Sequence, residues 1–282
     1  MKYLEPSTLE EALDLLDEHG DTAKVIAGGQ SLLILLRERL VTPEVLIGLS
    51  AIEPLKRLEV NGETRIGAMV THAAIEQDAR ISERWPVLAA AEAAVSTVQI
   101  RNRGTLCGNV AHGFPTADPP AALIACDATV HLVSKRGGQR LVAAEDFFIG
   151  LMETAARPDE LVTAITLAAQ PAEARGAYLK FATRALDFAI VGAACRLVLG
   201  TDGAVLEARI GLNGAANHTL RAREAERVLI GERPTPVLLE RAGQAAGLES
   251  SPLGDVDGSE DYKRRIIAVY TRRVLMRALG EG

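Results

Sequence analysis

The spacing of apolar residues predicts a chain of short strands and amphipathic helices. Near the start, Ser7-Thr8-Leu9-Glu10 has the form of a capping box. Apolar residues then recur at helical spacing until Gly20. This pattern predicts an amphipathic helix over residues 7–19, followed by a strand over residues 23–26.

The same reading divides the rest of the chain into elements. Predicted strands cover residues 45–49, 64–68, 129–133, 140–142, 161–167, 177–182, 189–199 and 205–212. Predicted helices cover residues 73–78, 85–94, 119–125, 221–229, 235–246 and 260–279. Thr71 is the expected cap of the first of these helices, and Asp118 of the third. The linker-like composition of residues 170–176 places a domain boundary near residue 175.

The last predicted helix has two contrasting faces. Its apolar face is predicted to carry Tyr262, Ile266, Val269, Tyr270 and Val274. The opposite face carries the basic residues Lys263, Arg264, Arg272, Arg273 and Arg277. Such a face suits nucleic acid or a membrane surface, but a solvated surface or a subunit contact explains it more simply.

Length and composition narrow the class of protein. The chain has 282 residues, enough for about two domains, and 48% of them are hydrophobic. No apolar run approaches the ~18 residues of a membrane span, and the net charge of −6 argues against nucleic acid as the main partner. The N-terminal residues lack the pattern of a secretory signal, which makes the cytoplasm the expected location. The three cysteines have no metal-ligand spacing, so no metal site is predicted on this chain.

Two glycine-rich stretches carry the candidate chemistry. Residues 27–32 (AGGQSL) follow a predicted strand, and residues 99–118 contain Gly104, Gly108 and Gly113 among hydroxyl, amide and guanidinium groups. Glycine lets a backbone approach an anion closely, and free N–H groups bind it. The dinucleotide fingerprint G-x-G-x-x-G is absent. Two such loops in one domain suit the two phosphates of a dinucleotide. His72 and His112 have no partner at ligand or triad spacing, so they are expected to be structural.

Several motifs together resemble one protein family. They are Ala27-Gly28-Gly29-Gln30-Ser31-Leu32, Gln99-Ile100-Arg101-Asn102-Arg103-Gly104-Thr105-Leu106, Gly108-Asn109, Ala117-Asp118, Asp146-Phe147-Phe148, Gly150, Lys180, Arg184, Asp187-Phe188-Ala189 and Gly258-Ser259. In this order and spacing, the chain resembles the FAD-binding medium subunits of the molybdenum hydroxylases, which include carbon monoxide, xanthine and nicotinate dehydrogenases. The resemblance covers nearly the whole chain.

The resemblance implies an α+β fold. Residues 1–175 would form an FAD-binding domain of two α+β subdomains, like that of the vanillyl-alcohol-oxidase (PCMH) type, with the flavin between them. Residues 176–282 would form a C-terminal domain of antiparallel sheet and helices. The residues implied to cradle the pyrophosphate are Ala27, Gly28, Gly29, Gln30, Ser31, Leu32, Thr105, Gly108 and Asn109. Asp118 would accept from a sugar hydroxyl, while Lys180 and Val162 would lie at the flavin ring.

The family also implies a function and partners. The chain would carry FAD and pass electrons from the iron–sulfur clusters of a small subunit to an external acceptor, while a large molybdopterin-binding subunit oxidises the substrate. The complex would be a dimer of heterotrimers. No catalytic side chain is expected, because FAD supplies the redox chemistry. A stand-alone FAD-dependent oxidase and a non-catalytic nucleotide-binding assembly module are the alternatives.

One residue departs from the family pattern. Most relatives have Gly-Gly before the asparagine, whereas this chain has Cys107-Gly108. The Cβ and sulfur of Cys107 must fit beside the phosphates or point away from them. Because a positive φ is unfavourable for cysteine, the backbone at this position is expected to lie in an ordinary region. A redox role for the thiol is the less favoured interpretation.

Overall fold

A small parallel sheet forms the N-terminal part of the chain. The computed structural model describes residues 1–281. Its first elements are β1 (Lys2–Leu4), α1 (Leu9–His19), β2 (Ala23–Ile26), α2 (Leu32–Arg37) and β3 (Val45–Gly48). β3 lies between β1 and β2 and is parallel to both. Loop residues 27–31 therefore leave the end of an edge strand, and β2 has the bounds that the sequence predicts.

The cap of α1 corrects the sequence analysis by one residue. The N-cap is Thr8, whose Oγ1 accepts from the backbone N–H of Glu11 at 3.1 Å. The Glu11 carboxylate accepts in return from the backbone N–H of Thr8 at 3.2 Å and of Ser7 at 2.7 Å. The predicted box of Ser7 and Glu10 is therefore wrong. The predicted and observed boxes differ by one residue, because Ser7-Thr8 and Glu10-Glu11 are each a pair of adjacent residues that could fill the same role.

An antiparallel sheet and a group of short helices follow. Their elements are β4 (Leu58–Asn61), β5 (Glu63–Gly67), α3 (His72–Gln77), α4 (Ala79–Arg84), α5 (Pro86–Ala93), α6 (Val98–Arg101), α7 (Leu106–His112), α8 (Asp118–Ala125), β6 (Thr129–Ser134), β7 (Gly138–Ala143), α9 (Ala144–Phe147), β8 (Phe148–Gly150), β9 (Glu153–Thr154) and β10 (Leu161–Leu167). The sheet has the order β4-β5-β10-β6-β7, and every neighbouring pair is antiparallel. All residues of the central strand β10 are buried.

The C-terminal part combines a second antiparallel sheet with three helices. It contains β11 (Arg175–Phe181), β12 (Val191–Leu199), β13 (Val205–Asn213), β14 (Leu220–Arg221), α10 (Arg223–Leu229), α11 (Pro236–Glu249) and α12 (Glu260–Leu279). The strands follow each other in chain order across the sheet. Helix α12 packs on β11 and β12, and the C-terminal part has a hydrophobic cluster separate from that of the N-terminal part. Helices α5 and α8 also pack against strands of this sheet. This second contact brings the N-terminal helices to the C-terminal sheet.

Helix α12 has the predicted bounds, and its buried face partly overlaps the predicted one, since Val274 is buried and Ile266 and Tyr270 pack partly buried against the C-terminal hydrophobic cluster. The buried positions include Lys263, Ile267 and Thr271, whereas the predicted core residue Val269 is 42% exposed. Lys263 is buried because its Nζ donates to the carbonyl of Leu253 at 2.9 Å and to a carboxylate oxygen of Asp255 at 2.6 Å. Lys263, predicted on the basic outer face, therefore lies on the inner face of α12, which the spacing of apolar residues does not predict.

None of the helices within residues 1–281 combines the length and the apolar character that a bilayer span needs.

Candidate functional site

The two glycine-rich loops lie against each other. We call residues 27–32 loop 1 and residues 103–109 loop 2. A Cβ built on Gly28 would lie 2.0 Å from the carbonyl oxygen of Arg103 and 2.8 Å from the Cα of Gly104. A Cβ built on Gly108 would lie 3.8 Å from the Cβ of Ala27. No side chain fits between the loops at Gly28, so they form one continuous surface.

Loop 1 presents a run of unpaired backbone donors. Its amide N–H groups from Gly28 to Leu32 donate to no protein atom of residues 1–281. Gly29 has a φ of +74°, a conformation that favours glycine. The side chain of Gln30 donates back to the carbonyl of Gly28 at 3.1 Å. Ser31 precedes α2 but makes no side-chain capping bond, which leaves its hydroxyl available. Successive free amides of this kind bind anions.

Loop 2 is held by the chain behind it. The carbonyl of Gly104 accepts from the backbone N–H of His72 at 3.0 Å, and the backbone N–H of Leu106 donates to Val70 at 3.3 Å. Since a trans peptide directs its C=O and N–H to opposite sides, the first bond turns the N–H of Thr105 away from α3. The Oγ1 of Thr105 accepts from the N–H of Gly108 at 3.1 Å and caps α7. The N–H groups of Thr105 and Cys107 have no acceptor among the described residues.

Asn109 adds a side chain that lacks a partner. Its Oδ1 is buried and accepts no hydrogen bond from residues 1–281. Leaving a buried polar atom unpaired costs about 1–3 kcal/mol, so such an atom points to a missing ligand group. As an acceptor, Oδ1 fits a hydroxyl or N–H donor of a ligand, while the free amides of both loops fit its phosphates. The residues present therefore fit the pyrophosphate of FAD.

Cys107 points away from the loops. The residue lies inside α7, and its φ is not positive, as expected from the sequence. Its Sγ lies 3.8 Å from the carbonyl of Ile66 in β5, and the residue is 2% exposed. Burial raises the pKa of the Cys107 thiol well above its usual range. The departure from Gly-Gly thus leaves the side of the loops that carries the free amides unchanged, and burial keeps the thiol protonated.

Asp118 and Lys180 form a buried ion pair. The Nζ of Lys180 donates to Oδ2 of Asp118 at 2.9 Å, and the hydroxyl of Tyr178 donates to Oδ1 at 2.6 Å. The amide of Asn213 donates to the backbone carbonyl of Asp118 at 3.1 Å. Burial raises the pKa of Asp118, while the ammonium of Lys180 and the hydroxyl of Tyr178 act in the opposite direction. Strands β11 and β13 thus hold the first residue of α8.

The predicted capping role of Asp118 is wrong. Ala117 is the N-cap of α8, and no side chain makes a capping bond there. The reason is chemical, because Pro119 and Pro120 follow Asp118 and have no N–H to donate to its carboxylate. The carboxylate turns to β11 instead. Tyr178, which sequence analysis missed, could have been found from β-strand periodicity, since it lies two residues before Lys180 on the same face of β11.

The remaining predicted residues occupy different surroundings. Val162 is buried in β10 within the same hydrophobic cluster as Cys107, and its role at the ring stays a prediction. His112 stacks on Phe114 with ring centroids 6.0 Å apart, and burial lowers its pKa. His72 is buried, and its Nδ1 lies 2.5 Å from Oε2 of Glu92. Both histidines have structural contacts, and the partner of His72 was not foreseen.

Comparisons with known proteins place this architecture in a family. Residues 1–169 match the FAD-binding domain in molybdopterin dehydrogenase, and residues 176–278 match the CO dehydrogenase flavoprotein C-terminal domain. The chain belongs to the flavoprotein family of the molybdopterin dehydrogenases. Its N-terminal part is an FAD-binding domain, and the chain is a medium-subunit flavoprotein of the oxidoreductase class.

Individual relatives of this flavoprotein match along nearly their whole length. The nicotine 6-hydroxylase medium subunit of Paenarthrobacter nicotinovorans is 36% identical over 281 residues, covering 99% of this chain and 97% of the relative. The carbon monoxide dehydrogenase medium chain of Afipia carboxidovorans is 34% identical, covering 98% and 96%. A solved carbon monoxide dehydrogenase from Hydrogenophaga pseudoflava superposes with a TM-score of 0.96 at 34% identity, covering 100% of this chain and 98% of its own. The α+β fold class and the family resemblance are thereby confirmed.

Proposed function

We propose that this flavoprotein is the electron-transfer subunit of a molybdenum-containing hydroxylase or dehydrogenase. In this proposal it takes electrons from iron–sulfur clusters on a partner chain and delivers them through FAD to an external acceptor. The observation that carries the proposal is the contact between loops 1 and 2, which joins two sets of unpaired backbone donors into one surface. When bound, FAD supplies redox chemistry that amino-acid side chains lack.

The proposal assigns the cofactor-binding residues by position. The pyrophosphate would be held by Ala27, Gly28, Gly29, Gln30, Ser31, Leu32, Thr105, Gly108 and Asn109. A hydrogen bond to a charged group contributes about 1.5–3 kcal/mol, so several amides hold a pyrophosphate without a lysine in either loop.

The ion pair of Asp118 and Lys180 would serve the other parts of the cofactor. Each carboxylate oxygen can accept more than one hydrogen bond, so Asp118 can bind a sugar hydroxyl while it keeps Tyr178 and Lys180. The ammonium of Lys180 would lie near the flavin ring and favour its reduced, negatively charged form. Val162 would line the ring from β10.

The domain and subunit organisation form a second part of the proposal. Residues 1–175 would be the FAD-binding domain and residues 176–282 the C-terminal domain, a division supported by the two separate family matches. Relatives named medium subunit or medium chain support a complex with a large and a small partner subunit. In this proposal the large subunit binds molybdopterin, the small subunit carries the iron–sulfur clusters, and the complex is a dimer of heterotrimers. The unpaired state of Cys107, Cys126 and Cys195 supports a cytoplasmic location.

The visible spectrum of the purified chain tests the central claim. We expect flavin bands, either as isolated or after addition of FAD. A chain that shows none in both cases contradicts the proposal and leaves the nucleotide-binding assembly module. Co-purification with a molybdenum-containing large chain supports the subunit function, whereas substrate turnover by the isolated flavoprotein would support a stand-alone oxidase.

A further inference from the structure

A buried acid–base pair lies directly behind loop 2. His72 begins α3 and Glu92 lies near the end of α5, and their side chains meet with Nδ1 2.5 Å from Oε2. Glu92 is 0% exposed and His72 3% exposed. A carboxyl group is seldom buried this completely unless it has a partner. The pair therefore matters through the part of the molecule that it contacts, which is loop 2.

His72 contacts loop 2 with both its backbone and its ring. The backbone N–H donates to the carbonyl of Gly104 at 3.0 Å. A Cβ built on Gly104 would lie 3.0 Å from Cδ2 and 3.3 Å from Nε2 of the His72 ring. The preceding residue, Thr71, pairs with Thr105 in an isolated antiparallel bridge. The ring therefore packs against the peptide whose N–H, at Thr105, faces the candidate phosphate surface.

The carboxyl group of Glu92 depends on His72. Its second oxygen, Oε1, is buried and accepts no hydrogen bond within the described chain. The His72 ring is therefore the hydrogen-bond partner of this side chain among the described residues. Because a buried polar group without a partner costs free energy, the contact holds the ring of His72 in one position.

We propose that His72 and Glu92 are a positioning pair that sets loop 2 for the pyrophosphate of FAD. Glu92 fixes the His72 ring, and the ring and backbone of His72 fix the Gly104–Thr105 peptide. This inference rests on the proposed FAD binding and adds to it two residues outside the cofactor-binding loops.

The substitution Glu92→Gln tests the inference without removing bulk. Its amide keeps the size of the side chain but replaces the carboxyl group that the His72 ring contacts. We expect FAD to bind about ten- to hundredfold more weakly, the equivalent of one charged hydrogen bond. ADP, which carries the pyrophosphate without the flavin, should compete less well by a similar factor. The melting temperature should stay near that of the wild type, because the amide has nearly the same volume as the carboxyl group and leaves the packing of α5 in place.

A matched control and a second variant separate positioning from stability. Glu226→Gln also alters a buried carboxylate, which accepts from the N–H of Ile210 and pairs with Arg221, but it lies in the C-terminal sheet and helices. It should leave FAD and ADP affinities unchanged. His72→Asn keeps a donor near the position of Nδ1 but removes the ring beside Gly104, so it should weaken FAD as Glu92→Gln does. The double variant should lose less binding free energy for FAD than the sum of the losses in Glu92→Gln and His72→Asn.

The outcomes are distinguishable. Wild-type affinity for FAD in Glu92→Gln overturns the inference, as does a loss that merely follows the melting temperature in both Glu92→Gln and Glu226→Gln. The nitrogen NMR signals of the His72 ring give an independent measurement: a change in these signals between the wild type and Glu92→Gln supports the contact, and unchanged signals contradict it. If the wild type binds no FAD at all, the proposed function fails first.

Discussion

Loops 1 and 2 belong to the same candidate site but are supported in opposite ways. Loop 1 joins an edge strand of a small parallel sheet to α2, a helix in which no residue from Leu32 to Arg37 is buried. Loop 2 is bonded from behind to Val70 and His72 and continues into α7, where Leu106, Cys107 and Val110 are buried. Loop 2 is therefore fixed by the core, whereas loop 1 rests on loop 2 at Gly28.

This difference in support suits the two loops to different parts in binding an anion. Loop 1 has the longer run of free amides, and loop 2 has the rigid frame against which loop 1 lies. A rigid frame lowers the ordering cost of binding, while a less supported loop gains order from the ligand. The contact at Gly28 should consequently be the most sensitive point of the site, and damage should fall as the change moves away from it.

The largest effect is expected from Gly28→Val. Even the Cβ would lie 2.0 Å from a backbone oxygen of loop 2, so the loops must separate and the purified protein should retain no FAD. Flavin content from the visible spectrum measures this. Gly254→Val is a matched control, because the nearest heavy atom to its Cβ lies 3.6 Å away, and it should keep its flavin. Normal flavin in Gly28→Val would remove the basis for treating the loops as one surface.

Substitutions at Gly108 should have a graded effect. The nearest atom to a Cβ there is Oγ1 of Thr105 at 2.8 Å, a side-chain atom that can shift. Gly108→Ala should lose the cap of α7, a cost of about 1 kcal/mol, and keep FAD with reduced affinity. Gly108→Val should abolish FAD retention while the protein stays folded. Titration of the apo-protein with FAD ranks the two, and equal affinities would contradict the grading.

A smaller effect on flavin, but a clear one on stability, is expected from Tyr178→Phe. The change removes the 2.6 Å hydrogen bond to Asp118, which lies beyond loop 2 at the start of α8. Loss of a hydrogen bond to a charged group should lower the free energy of unfolding by about 1.5–3 kcal/mol. FAD should remain bound because both loops are intact. Denaturant unfolding and the flavin spectrum together check this, and loss of flavin without loss of stability would be the opposite result.

The smallest effect on flavin is expected from Cys107→Ala. The thiol faces Ile66 rather than the phosphate surface, so the affinity for FAD should stay within about twofold, with a modest loss of stability from the lost buried sulfur. Burial raises the pKa of the Cys126 and Cys195 thiols to about 12 as well. The native protein should therefore resist alkylation by iodoacetamide at pH 8 and react only when unfolded. Rapid alkylation of the native chain would contradict the buried position.

Short-range sequence patterns predict the helices, strands and caps of this chain, but they do not predict its long-range hydrogen bonds. The bounds of β10 and α12 and the cap by Thr71 follow from short-range patterns, and the structure confirms them. The partners of Asp118 and His72 come from other elements. Strand periodicity places Tyr178 on the same face as Lys180, but no local pattern pairs Tyr178 with Asp118 or Glu92 with His72. The sequence pattern places Lys263 on the basic outer face of α12, whereas the residue is buried through its hydrogen bonds to the preceding loop. Spacing predicts elements, while tertiary hydrogen bonds decide which polar residues they bury.

The ion pair at Asp118 has a consequence for biosynthesis. Its carboxylate belongs to the first part of the chain, whereas Tyr178 and Lys180 lie on β11 and Asn213 lies on β13. A ribosome must therefore have released residues well beyond Lys180 before this corner of the site can close. Formation of these bonds is then a late event in the life of the polypeptide, and a chain that terminates early in its C-terminal sheet lacks a partner of Asp118.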